Sequence, residues 1–128
     1  MLGEKLKKKG GISLERKDSK RGKTPKGKAG LLARILKRKK ADDVVVIKTR
    51  DKTVIADYFV ICSAFSDTHA KALVEAIEEN LKKNGTPPLS IEGFDTLKWS
   101  LIDCGDVIVH IFSQEARKYY RLEEIWYG

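Results

Sequence analysis

At 128 residues and a net charge of +8, the chain has room for one ordinary core rather than two. That charge does not describe a uniformly basic binder, because residues 1–40 hold 16 Lys/Arg against 3 Asp/Glu and residues 41–128 hold 10 against 15. Cys62 and Cys104 are too few for a disulfide framework. No apolar run reaches the roughly 18–20 residues of a membrane span, so a soluble, cytoplasmic protein is expected.

Residues 1–29 are rich in Lys, Gly and Ser, and their few aliphatics (Leu2, Leu6, Ile12, Leu14) make no face. This predicts a basic disordered tail whose charge would suit RNA phosphates, followed by a folded domain over 30–128. Leu31, Leu32, Ile35 and Leu36 predict a short amphipathic helix ending near Lys40, with cations at its negative end. "DVVVIKT" (43–49) and "TVIADYFVICSA" (53–64) read as two strands joined by a turn at "RDK". Ser66 or Asp67 can cap a helix running to about Lys83, with Ala70, Leu73, Val74, Ile77 and Leu81 as its inward stripe. Asn84-Gly85 stops that helix, and Pro87-Pro88 forbids its continuation. "LSIEG" gives a short third strand, 98–103 and 106–112 two more, and Ser113 to about Trp126 a last helix. The order α-β-β-α-β-β-β-α predicts an α/β (α+β) fold, a mixed sheet of about five strands packed with helices.

The stretch "KWSLIDCGDVIVHIF" (98–112) carries most of the unusual chemistry. With Cys104-Gly105 as a two-residue turn, Asp103 faces Asp106, Leu101 faces Ile108 and Trp99 faces His110, with Phe112 on the same side. Ile102, Val107, Val109 and Ile111 then form an ordinary core face. The mixed face is either covered by a helix of the same domain or an apolar patch rimmed by acid, as docking surfaces are. Directly opposed, Asp103 and Asp106 repel unless water or turn N–H groups compensate them. Carboxylates that hold metal for phosphoryl transfer usually sit on one strand with one residue between them, whereas a turn intervenes here. "CSAFSDTHA" has the position of a phosphate-cradling loop but lacks its Gly. Cys62, Cys104, His69 and His110 have zinc-ligand chemistry, but their spacing matches no compact zinc motif. These patterns predict no enzyme, no metal and no cofactor.

Taken together, "ADYFVICSAFSDTHAKAL", "IEG" and "WSLIDCGDVIVHIFSQEARKYYRLEEIW" resemble the ribosomal silencing factor (Iojap-like) family from about Leu31 to Trp126. The family pattern falls on Asp57, Tyr58, Ser66, Asp67, Trp99, Leu101, Asp103, Gly105, Asp106, His110, Phe112, Tyr119, Tyr120, Leu122, Glu123 and Trp126. Cys104 departs from it, standing where relatives usually have an aromatic. The resemblance implies a nucleotidyltransferase-like fold without the transferase's catalytic residues. It also implies a protein that binds large-subunit ribosomal protein fourteen and keeps the small subunit from joining, repressing translation, with organelle relatives tied to large-subunit assembly. On that reading Trp99, Leu101, Asp103, Asp106, Ile108, His110, Phe112, Tyr120, Glu123 and Trp126 form the partner-binding surface. Residues 1–29 would add rRNA contacts, and exposed sheet edges are compatible with a homodimer.

Overall fold

The computed structural model describes residues 24–127, with side-chain surroundings described to residue 124. The proposed tail is therefore outside the described residues up to residue 23, and so is the side chain of Trp126.

The first helix, α1 (Pro25–Arg38), begins earlier than its aliphatic stripe suggests. Thr24 caps it by accepting the Gly27 N–H at 3.0 Å, and Pro25 takes the first turn, where its missing N–H costs nothing. Ala29 extends the buried stripe of Leu32, Ala33, Ile35 and Leu36 by one turn. Strand β1 (Asp42–Lys48) pairs antiparallel with β2 (Tyr58–Ala64), with a bulge between Asp42 and Val45 where Asp43 adopts φ 49°. The predicted second strand is shorter than expected because Thr49 draws its first half into a loop. Its hydroxyl donates to the Ala56 carbonyl at 2.8 Å and its N–H to the Asp57 carbonyl at 2.8 Å. Helix α2 (Asp67–Lys83) follows, capped by the Ser66 hydroxyl, which accepts the His69 N–H at 3.0 Å. Its buried residues are Ala70, Leu73, Val74, Ile77 and Leu81, the stripe that 3.6-residue spacing predicts.

Strands β3 (Ser90–Glu92), β4 (Trp99–Asp103) and β5 (Val107–Ser113) complete a five-stranded mixed sheet in the order β1-β2-β5-β4-β3. Only β2 and β5 run parallel, and they lie at the centre, where β2 is buried along its whole length. The expected final helix divides at Arg121, which takes a left-handed conformation (φ 48°, ψ 45°) between α3 (Gln114–Tyr120) and α4 (Leu122–Tyr127).

One face of the sheet, including Val60, Cys62, Ile102, Val107, Val109 and Ile111, is closed by α1 and α2. Across the other, Ala116 of α3 and Leu122 of α4 pack on Phe59, Ile61, Leu101, Ile108 and Phe112. Among the described residues no helix is long and apolar enough to cross a membrane.

Candidate docking surface

The β4–β5 hairpin has two unlike ends. Its observed register pairs Asp103 with Ile108, Leu101 with His110 and Trp99 with Phe112, so the loop is two residues longer than a tight turn and Asp103 does not face Asp106. A slip of two residues keeps every side chain on its predicted face, where a slip of one would have exchanged the faces.

At the turn end the acids serve the loop. An Asp103 oxygen accepts the Gly105 N–H at 3.0 Å, Gly105 itself has φ 89°, and the Cys104 N–H donates to the Val107 carbonyl at 2.9 Å. The Asp106 carbonyl accepts the backbone N–H groups of Asp57 (2.8 Å) and Tyr58 (3.2 Å), which joins this turn to the start of β2. Lys28 reaches across from α1 to the Cys104 carbonyl. Both Asp103 and Asp106 are buried, so they form no acidic rim for a partner. Among the described residues no group of three or more His, Cys, Asp or Glu is arranged to hold a metal ion. Cys62 lies in the dry aliphatic face, where burial pushes its thiol up to about 12 and leaves it a poor nucleophile.

The open end is aromatic. The Trp99 indole N–H donates to Nδ1 of His110 at 3.1 Å. Accepting at Nδ1 places the imidazole proton on Nε2, which is buried without a hydrogen-bond partner among the described residues. The ring packs edge-on against Phe59 with centroids 4.7 Å apart. Burial holds the His110 pKa down at about 3, so this histidine is neutral at ordinary pH. Trp99 also packs against Phe112 (4.8 Å) and Tyr120 (4.6 Å), and Tyr119 meets Tyr120 edge-to-face at 5.0 Å. Tyr119 is 80% exposed and Tyr120 46%. Beside them opens a cleft of about 610 Å³ lined by Thr96, Lys98, Trp99, Ser113, Glu115, Ala116, Tyr119 and Tyr120.

Of the ten residues nominated from sequence, the structure gathers Trp99, His110, Phe112 and Tyr120 into this cluster, but only Trp99 and Tyr120 reach solvent. Leu101, Ile108, His110 and Phe112 are buried, contrary to an open Trp/His/Asp face, because the broken C-terminal helix folds back across that side. Glu123 is likewise taken internally: the Arg117 Nε donates to its two oxygens at 3.2 and 2.9 Å. The same guanidinium donates to the Ser63 hydroxyl (2.8 Å) and to the carbonyl and carboxylate of Asp43 (both 3.0 Å). Residues six apart lie on different sides of an unbroken helix, so the Arg121 break is what lets Glu123 return to Arg117. Tyr119 lies on the family pattern but outside the expected partner surface, and Lys98, Thr96 and Glu115 lie outside both. The signal for Tyr119 was its place beside Tyr120 in a helix whose other residues are polar or small.

A sequence profile described as "Ribosomal silencing factor during starvation" matches residues 22–128. The chain belongs to the ribosomal silencing factor family. The match begins ahead of Leu31, in agreement with the early start of α1. "Ribosomal silencing factor RsfS" of Bacillus subtilis is 39% identical over 88 residues, covering 69% of this chain and 75% of that protein. A solved structure from Chromobacterium violaceum superposes with a TM-score of 0.74 at 29% identity, over 79% of this chain and 85% of that one. One from Bacillus halodurans does so with 0.69 at 32% identity, over 77% and 93%. These likenesses establish a silencing-factor fold and a general role connected with the ribosome and its regulation. In a silencing factor the exposed aromatic cleft, rather than the acidic turn, is the candidate contact surface.

Proposed function

We propose that this silencing factor binds the large ribosomal subunit, chiefly through large-subunit ribosomal protein fourteen, and represses translation by standing where the small subunit must join. The observation that carries the reading is the cleft in which Trp99, Tyr119 and Tyr120 meet solvent beside Lys98 and Glu115. Rigid aromatics with a polar tip supply much interface energy at low entropic cost. Trp99 is further held by its bond to His110, so little ordering remains to be done on docking. With α1 included, the folded body is close to neutral, 17 basic against 15 acidic groups over residues 24–127, so the reading rests on the aromatic cleft and not on overall charge. Occlusion by a bound body requires no covalent step, and the reading assigns no catalytic residue.

Co-sedimentation with large subunits tests it. The pair Tyr119→Ala and Tyr120→Ala should abolish co-sedimentation while thermal unfolding stays cooperative, and full retention would remove the cleft as the contact. If large-subunit binding survives but small-subunit joining is no longer blocked, the occlusion step is wrong and the contact is right.

A further inference from the structure

A second surface uses no residue of the cleft. Helix α1 ends in four consecutive cations, Lys37, Arg38, Lys39 and Lys40, all exposed. Lys37 and Arg38 complement the negative end of the helix dipole, but Lys39 and Lys40 lie beyond its last turn. Among the described residues none of the four is in an ion pair. Beside this run stands Phe65, 66% exposed, in the short link between β2 and α2. Such a ring adds little to the core, yet it is held firmly. It stacks on His69 with an interplanar angle of 9° and centroids 5.7 Å apart. The Phe65 N–H donates to His69 Nδ1 at 3.0 Å, and His69 Nε2 meets the Lys39 carbonyl at 2.9 Å. With Nδ1 accepting, Nε2 carries the proton and donates. One imidazole therefore ties an outward-facing ring to the backbone of the basic run. The neighbouring acids are Asp67 at the start of α2 and Asp42 and Asp43 at the start of β1; Asp42 is engaged by Gln114 and Asp43 by Arg117, and the four cations outnumber the three.

We propose that this patch binds single-stranded RNA, with an unpaired base stacked on the outer face of Phe65 and flanking phosphates held by Lys37, Arg38, Lys39 and Lys40. A base presents its flat face only when it is outside a duplex, and stacking tolerates any base, so the selectivity is for strand state rather than sequence. A single ring among cations offers a lipid surface little apolar area to bury, which disfavours a membrane.

The test uses the full chain, a labelled single-stranded RNA 12-mer and a duplex of equal length, read by fluorescence anisotropy at several salt concentrations. Phe65→Ala should weaken single-strand binding by roughly 5- to 100-fold and leave the duplex and the salt slope unchanged. Phe65→Trp should restore it. Lys37→Gln with Lys40→Gln should instead flatten the salt slope, by about 0.7 for each phosphate no longer neutralised. Ultraviolet cross-linking should recover RNA on the peptide that contains Phe65. The proposal is overturned by equal losses for both strand states, by no loss, or by cross-links confined to residues 1–23. It is also overturned if Phe65→Ala abolishes binding to anionic vesicles while sparing RNA.

Discussion

On the α1/α2 side of the sheet, aliphatics meet aliphatics: Val60, Val109 and Ile111 pack on Leu32, Leu36, Leu73 and Ile77. On the α3/α4 side, the same strands present Phe59, His110 and Phe112 to two short helices held by the Arg117 network. Long amphipathic helices close a face by area alone, whereas helices of 7 and 6 residues are too short for that and need directed bonds. The difference teaches that the second face holds its shape through specific polar contacts, and that its rim is where aromatics remain open to a partner.

The largest effect should come from the aliphatic side. Leu73→Ala removes a fully buried side chain and should cost about 2–5 kcal/mol, read from the denaturant midpoint, while the remaining folded protein keeps its ribosome association. A small loss would mean that the first face is looser than its packing implies. In the link from β3 to β4, Gly93 has φ 78°, and an added Cβ would stand 2.0 Å from the Trp99 carbonyl oxygen. Gly93→Ala should therefore cost about 3 kcal/mol through backbone displacement. It should also change Trp99 fluorescence, measured with Trp126→Phe as background.

On the second face, Arg117→Met should cost about 2–3 kcal/mol by denaturation. This is less than a wholly buried pair would lose, because Asp43 stays 66% exposed. The loss should be accompanied by faster amide exchange in α4. His110 gives this face an acid sensitivity that the aliphatic face lacks. The unfolded histidine takes a proton near pH 6.5 and the folded one only near 3, so between these values the unfolded state binds more protons. Stability contributed by neutral His110 is complete above pH 6.5 and should fall by roughly 1 kcal/mol for each pH unit down to about 3. His110→Phe should flatten that part of a stability–pH curve, and an unchanged slope would assign the acid sensitivity to other groups. The smallest stability effect belongs to Tyr119→Ala, within about 0.5 kcal/mol by thermal melting, since that ring is mostly solvated. The same variant should weaken co-sedimentation measurably, which separates the surface from the face beneath it.

Much of the fold was legible from local pattern. The stripe of α2 and the partition of the β4–β5 hairpin into Ile102/Val109/Ile111 on one side and Leu101/His110/Phe112 on the other follow from periods of 3.6 and 2. That partition survived a wrong turn length because the error was two residues. The start of α1 was also written locally, in Thr24 and Pro25, but its first turn holds Lys and Gly and so lacked an apolar signature. The site was less legible. Asp103, Asp106 and Glu123 read as surface acids by type, and only the fold shows them turned inward, Asp103 and Glu123 by their partners and Asp106 by its burial.

By itself, then, the order of residues determined most of the elements, their inward stripes, the two sides of each strand and the family, because each depends on neighbours a few positions apart or on a linear motif. The break at Arg121 and the loop before Tyr58 did not follow from it. Whether a side was covered was decided by the tertiary structure alone. Arg117 finds Ser63 54 positions away and Gln114 finds Asp42 72 positions away. Those bonds fold α3 and α4 over Leu101, Ile108 and Phe112 and leave Trp99 and the two tyrosines at the rim. Burial depends on what arrives from elsewhere in the chain, and no local periodicity encodes it.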